Sequence, residues 1–76
     1  MTTTSTESRV IALVSDILGV PVTLESSMDN VSGWDSLKHM QVIFAFEDAF
    51  ALRLNDGEIV ALRSIKALVE RANRGT

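Results

Sequence analysis

The chain has 76 residues, 46% of them hydrophobic, with no cysteine and one histidine. This length allows one domain with a thin core, and the lack of thiols excludes disulfides and thiolate metal sites. The net charge of −3 and the scattered Lys and Arg residues argue against a nucleic-acid partner. With no signal peptide and no apolar run of membrane-spanning length, we expect a cytoplasmic monomer without a membrane partner.

A first helix is predicted over about residues 5–18. A capping box formed by Thr4 and Glu7 would begin it, and Gly19 followed by Pro21 would end it. Its apolar positions recur at helical spacing. They are Val10, Ile11, Val14, Ile17 and Leu18.

Residues 19–35 are predicted to form a long loop. Glycine, proline, asparagine and serine interrupt any periodic pattern there. A loop of this length in a compact domain is usually functional or held by its own side chains. Its apolar anchors are Val20, Val22, Leu24, Met28, Val31 and Trp34.

A second helix, about residues 36–50, is predicted to carry two apolar faces. Asp35 or Ser36 can cap its start. A bundle this small cannot easily cover both faces, so we expect the face beside Ser36 to stay partly exposed and to dock other proteins. The core face contains Val42, Ile43, Phe46, Ala49 and Phe50. The opposite face contains Leu37, Met40 and Phe44, alongside Gln41 and Asp48.

Two further helices complete the predicted fold. The pattern Asn55-x-x-Glu58 begins a short helix at about residues 56–61. Ser64 caps a last helix at about residues 65–73, whose core stripe is Ile65, Leu68, Val69 and Ala72. The fold class is therefore all-α, a small four-helix bundle of three longer helices and one short one. We expect a single domain over 1–76, with frayed ends at 1–4 and 74–76.

Ser36 is the residue on which the functional interpretation depends. As a nucleophile it would need a base within hydrogen-bond reach, and the only histidine, His39, is directed closer to the core face than to Ser36. A small hydrolase using these two residues is therefore disfavoured. Two interpretations remain from the residues alone: a simple helix cap within a helical interaction module, or a serine that another enzyme modifies.

The residues around Ser36 form an extended pattern along the chain. They are Gly33-Trp34-Asp35-Ser36-Leu37, Met40, Val42, Ile43 and Phe46-Glu47-Asp48-Ala49-Phe50. With the long loop before it and the short third helix after it, this pattern resembles the acyl carrier protein family from about Val10 to Ala72.

The resemblance implies a carrier rather than an enzyme. Ser36 would receive 4′-phosphopantetheine from coenzyme A through a phosphopantetheinyl transferase, with Asp35 and Leu37 as its neighbours at the attachment site. The thiol of this arm would then hold acyl groups as thioesters and present them to acyl-loading and acyl-processing enzymes. The face that meets these partners would consist of Leu37, Met40, Gln41, Phe44, Glu47 and Asp48.

The chain departs from the generalist fatty-acid carriers of that family. Lys38, His39 and Gln41 interrupt the acidic surface that such carriers show along the second helix. We therefore expect a specialised fatty-acid, polyketide or related pathway. The glycine pair that precedes the serine in peptidyl carriers is missing, which ranks an amino-acyl carrier lower without excluding it.

Overall fold

The computed structural model describes residues 5–74. It contains four helices, α1 (Thr6–Leu18), α2 (Ser36–Phe50), α3 (Asp56–Ala61) and α4 (Ile65–Arg74), and no strand in that range. The predicted all-α bundle is confirmed. Of the ends expected to fray, residues 1–4, 75 and 76 lie outside the described residues, whereas Arg74 is the last residue of α4.

The core lies where α1 packs against both α2 and α4. Burial of these apolar side chains is the main force that holds the helices together. Side chains outside the helices complete the core, including Val22 and Trp34 from the long loop. The fully buried side chains are Phe46, Ile43, Ile65, Leu68, Val10, Val14 and Val42.

The ends of α1 differ in how well they were predicted. The N-cap is Ser5, whose hydroxyl accepts a hydrogen bond from the Ser8 N–H. The predicted cap at Thr4 is therefore wrong by one residue, and Thr4 itself lies outside the described residues. Gly19 ends the helix as predicted, in the left-handed conformation with φ 73°, which glycine adopts without steric cost.

The loop between α1 and α2 is fixed at several points. Its backbone pairs with the start of α4, where the Ile65 N–H donates to the Ser26 carbonyl at 3.0 Å. Val22 and Trp34 are buried within the core. Val20 is 44% exposed, so its predicted role as an anchor is wrong. The loop therefore reaches α2 in a fixed position.

The end of α2 is held by a residue from α1. The Arg9 guanidinium lies 4.3 Å from the centre of the Phe50 ring and donates to the Ala49 carbonyl at 2.9 Å. A cation at this end of a helix also opposes the negative end of its dipole. Ala49 itself is exposed, so its predicted place in the core face is wrong.

The short helix α3 has no buried residue of its own. The predicted capping box is present, because the Asn55 side chain accepts from the Glu58 N–H and the Glu58 carboxylate accepts from the Asn55 N–H. The second Glu58 oxygen accepts from Arg71 of α4 at 2.6 Å. These polar contacts therefore hold α3 in addition to the packing of its half-buried Ile59 against the core.

Glu58 makes the stability of the chain depend on pH. The hydrogen bond from the Asn55 backbone, followed by that from Arg71, lowers the pKa of the Glu58 carboxyl below its ordinary value. A lowered pKa in the folded state adds stability above the unfolded pKa of about 4.3. That stability is lost as the pH falls through the folded pKa. We expect Glu58→Gln to destabilise the chain at about pH 7, and to destabilise it less at about pH 3.5, below the unfolded pKa.

Urea unfolding of both chains at the two pH values measures this difference. Glu70→Gln, an exposed change on α4, is the control and should cost little at either pH. A loss on Glu58→Gln that is equal at both pH values would contradict the assignment.

Candidate functional site at the start of the second helix

Ser36 is the first residue of α2 and is exposed. The capping position before it belongs to Asp35, whose Oδ1 accepts from the Lys38 N–H at 2.9 Å. Within the described residues the Ser36 hydroxyl has no hydrogen-bond partner. The alternative in which Ser36 serves only as the helix cap is therefore wrong, and its hydroxyl is open to another molecule.

The backbone around Ser36 suits a phosphate ester on that hydroxyl. The N–H groups of Ser36 and Leu37 have no acceptor in the part of the chain that the structure describes. They lie at the positive end of a helix of 15 residues. Free N–H groups and the helix dipole both favour an anion at this position.

His39 is positioned so that it cannot act as a base for Ser36. Its side chain is buried, and the Trp34 indole N–H donates to its Nδ1 at 3.1 Å. Its Nε2 lies 2.8 Å from the Ile59 carbonyl of α3. Both ring nitrogens are therefore occupied by other groups. The hydrolase alternative consequently lacks the serine–base contact that it requires.

Residues 5–74 lack two other kinds of feature. No group of three or more His, Cys, Asp or Glu side chains there is arranged to hold a metal ion. No helix in the same range is long and apolar enough to cross a bilayer.

The face of α2 beside Ser36 carries two large exposed apolar side chains. Leu37 is 70% exposed and Phe44 is 60% exposed. Met40 lies between them and is half-buried, whereas Gln41 and Asp48 are exposed. A folded chain that presents one such side chain next to an open serine and another about two helical turns further along offers an apolar surface to other proteins.

Glu47 has a structural contact that the sequence analysis did not identify. It is half-buried, and its Oε2 accepts from the Leu54 N–H at 2.9 Å. This bond holds the segment that follows α2. Of the two acidic residues assigned to the partner face, Asp48 is thus the exposed one.

Lys38, His39 and Gln41 interrupt the acidic surface expected of α2. Contacts inside the protein account for two of these three residues. The Lys38 ammonium lies 3.4 Å from the Ile17 carbonyl, at the negative end of α1, and His39 is buried. The bond between Trp34 and His39 was not predicted, although the direction of His39 towards the core was an available signal. Gln41 alone of the three lies exposed on the surface of α2.

Comparisons with known proteins agree with this geometry. The family described as "Phosphopantetheine attachment site" matches residues 8–72. An acyl carrier protein of Trieres chinensis is 31% identical over 68 residues, which cover 86% of this chain and 85% of the relative. The chain therefore belongs to the acyl carrier protein family, whose members are carriers rather than catalysts and hold a phosphopantetheine prosthetic group.

Proposed function

We propose that Ser36 carries the 4′-phosphopantetheine arm and that the chain presents acyl thioesters to partner enzymes. The observation that carries this proposal is the exposed Ser36 hydroxyl, which Asp35 leaves without an internal partner at the start of α2. A tether at this point raises the effective concentration of the acyl group at each partner enzyme.

The attachment reaction would be performed by a separate transferase with coenzyme A as the donor. The serine oxygen forms the new P–O bond, and the nucleotide half of coenzyme A leaves. The serine proton must go to a base of the transferase, because His39 uses both ring nitrogens for other contacts. The carrier thus acts as a substrate of this reaction.

We also propose that the chain serves a specialised fatty-acid, polyketide or related pathway in the cytoplasm as a monomer. Support for specialisation now comes from Gln41 and the aromatic Phe44 on the exposed side of α2. Lys38 and His39 no longer contribute to it, because internal contacts account for both. An amino-acyl cargo remains the alternative within the carrier function.

The modified residue can be identified by mass. Incubation with coenzyme A and a promiscuous phosphopantetheinyl transferase should add one phosphopantetheine to the chain. Ser36→Ala should remove this gain completely, because the acceptor oxygen is gone. Ser32→Ala changes a nearby exposed serine in the loop and should still be loaded in full.

An interaction module without a prosthetic group would gain no mass under these conditions. Modification that persists in Ser36→Ala would equally contradict the assignment.

Asp35 has two proposed roles that substitution can separate. Asparagine caps helices about as well as aspartate, so Asp35→Asn should change the free energy of unfolding by less than about 0.5 kcal/mol. Asp35→Ala should cost about 1 kcal/mol. If the transferase recognises the charge of Asp35, kcat/KM for loading falls in both variants. Normal loading of Asp35→Asn would leave Asp35 as a cap only.

The apolar face of α2 should matter for partners and little for folding. Leu37→Ala and Phe44→Ala remove exposed side chains, so the free energy of unfolding should change by less than about 0.5 kcal/mol. Each should lower kcat/KM for loading by the transferase about fivefold or more, if it contributes as a buried contact of the complex.

Val20→Ala is the matched control, since Val20 is an exposed apolar residue outside α2 and should leave loading unchanged. Unchanged loading in both Leu37→Ala and Phe44→Ala would remove this face from transferase binding.

A further inference from the structure

We propose that His39 is a positioning residue whose neutral imidazole joins α3 to the turn that carries Ser36, so that the two move as one unit. The consequence for Ser36 rests on the function proposed above. The link itself follows from the contacts of one buried side chain, which reach both segments at once.

The two contacts determine which ring nitrogen carries the proton. An indole N–H is only a donor, so the Nδ1 of His39 must be the acceptor of the bond from Trp34. A carbonyl is only an acceptor, so Nε2 must donate its proton to the Ile59 oxygen. Of the possible forms of the ring, only the neutral one with its proton on Nε2 satisfies both bonds.

On one side, His39 completes the end of α3. The last carbonyls of a helix lack partners within that helix, and the Ile59 carbonyl is one of them. The Leu62 N–H satisfies the Glu58 carbonyl, and the Arg63 N–H satisfies that of Ala61. The imidazole of His39 thus caps a helix that has no fully buried residue, although its half-buried Ile59 packs against the core.

On the other side, His39 closes the turn around Ser36. Trp34 is only 2% exposed and precedes Ser36 by two residues. Its indole bonds to the His39 ring, while the His39 backbone N–H donates to the Asp35 carbonyl at 2.8 Å. A side-chain bond and a backbone bond therefore both bridge the segment that contains Ser36. Together they fix the orientation of Ser36 at the start of α2.

The arrangement does not accommodate a positively charged imidazole. A second proton would sit on Nδ1, directly facing the indole N–H of Trp34. No charged side chain in residues 5–74 forms an ion pair with the ring to compensate. The charged residues on the segments that meet at His39 are Asp35, Lys38, Glu47 and Asp48 on α2 and its cap, and Asp56, Glu58 and Arg63 on α3 and just after it.

Three of the carboxylates among these groups already accept other hydrogen bonds, that of Glu47 from the Leu54 N–H. The Asp35 carboxylate accepts from the Lys38 N–H, and the Glu58 carboxylate accepts from Asn55 and Arg71. A proton on Nδ1 would therefore remove the acceptor of the Trp34 bond, whereas the bond from Nε2 to the Ile59 carbonyl would remain.

Nuclear magnetic resonance tests the link directly, because the chain has one tryptophan and one histidine, so that every indole or imidazole signal belongs to a known residue. At about pH 7.5 the ring nitrogens of His39 should show the form protonated on Nε2. A ring protonated on Nδ1 at this pH would overturn the proposal.

Substitutions distinguish the link from simple packing. His39→Leu fills the space without hydrogen bonds and should speed amide exchange in α3 roughly threefold to tenfold, while α1 amides stay unchanged. His39→Gln offers one acceptor and one donor in place of the two ring nitrogens. It should restore slow exchange in α3.

Trp34→Phe tests the same link, and its outcome does not depend on whether the side chain introduced by His39→Gln fits the space of the imidazole. It removes the donor to His39 while keeping an aromatic ring, and Trp34 reaches α3 through that imidazole. Amide exchange in α3 should again rise roughly threefold to tenfold. Unchanged exchange in α3 for both Trp34→Phe and His39→Leu would overturn the link.

The loading assay then measures whether the link affects how the transferase binds the turn that carries Ser36. In His39→Leu the KM of the transferase should rise about threefold or more with kcat nearly unchanged, because the turn is less ordered before binding. His39→Gln should restore the original KM. A wild-type chain that is never loaded would contradict the proposed function and leave the exchange result intact.

Discussion

The carboxylate of Asp35 accepts the N–H of Lys38 and so occupies the capping position of α2. Because one side chain fills this position, the next residue enters the helix with its hydroxyl unengaged. The N–H groups of Ser36 and Leu37 are left for an incoming anion. An exposed serine at a helix start is common, but here it is held on a loop fixed by the buried Trp34 ring. Its position is thereby defined before any partner binds.

The sequence predicted the four helices well because their ends are decided by local interactions. Asp35, Asn55 and Ser64 each bond to a backbone N–H three residues on, so the pattern alone locates the caps. The shift of the first cap to Ser5 shows the limit of the method. Neighbouring threonines and serines compete for one capping position, and local pattern does not choose among them.

Contacts between distant residues were beyond the sequence analysis. A helical wheel placed His39 near the core but could not show that its ring meets Trp34 and Ile59. The same holds for Arg9, which reaches the end of α2 forty residues later. The wheel also assigned Ala49 to the core, although its side chain is exposed.

These contacts change how the charges near Ser36 are interpreted. A lysine and a histidine in the first turn of α2 look like adaptations to a particular partner when the sequence is considered alone. In the folded chain Lys38 reaches the end of α1 and His39 reaches α3, so both contribute to the position of α2. The surface available to partners is correspondingly more apolar than the sequence suggests.

Ser36 is the residue that we propose to bear the prosthetic group in the cell. The most direct measurement is tandem mass spectrometry of the chain isolated from its own source, with fragmentation of the peptide that spans residues 34–38. We expect phosphopantetheine, free or acylated, to be attached to Ser36. A chain isolated without modification at Ser36, or with the group on another residue, would contradict it.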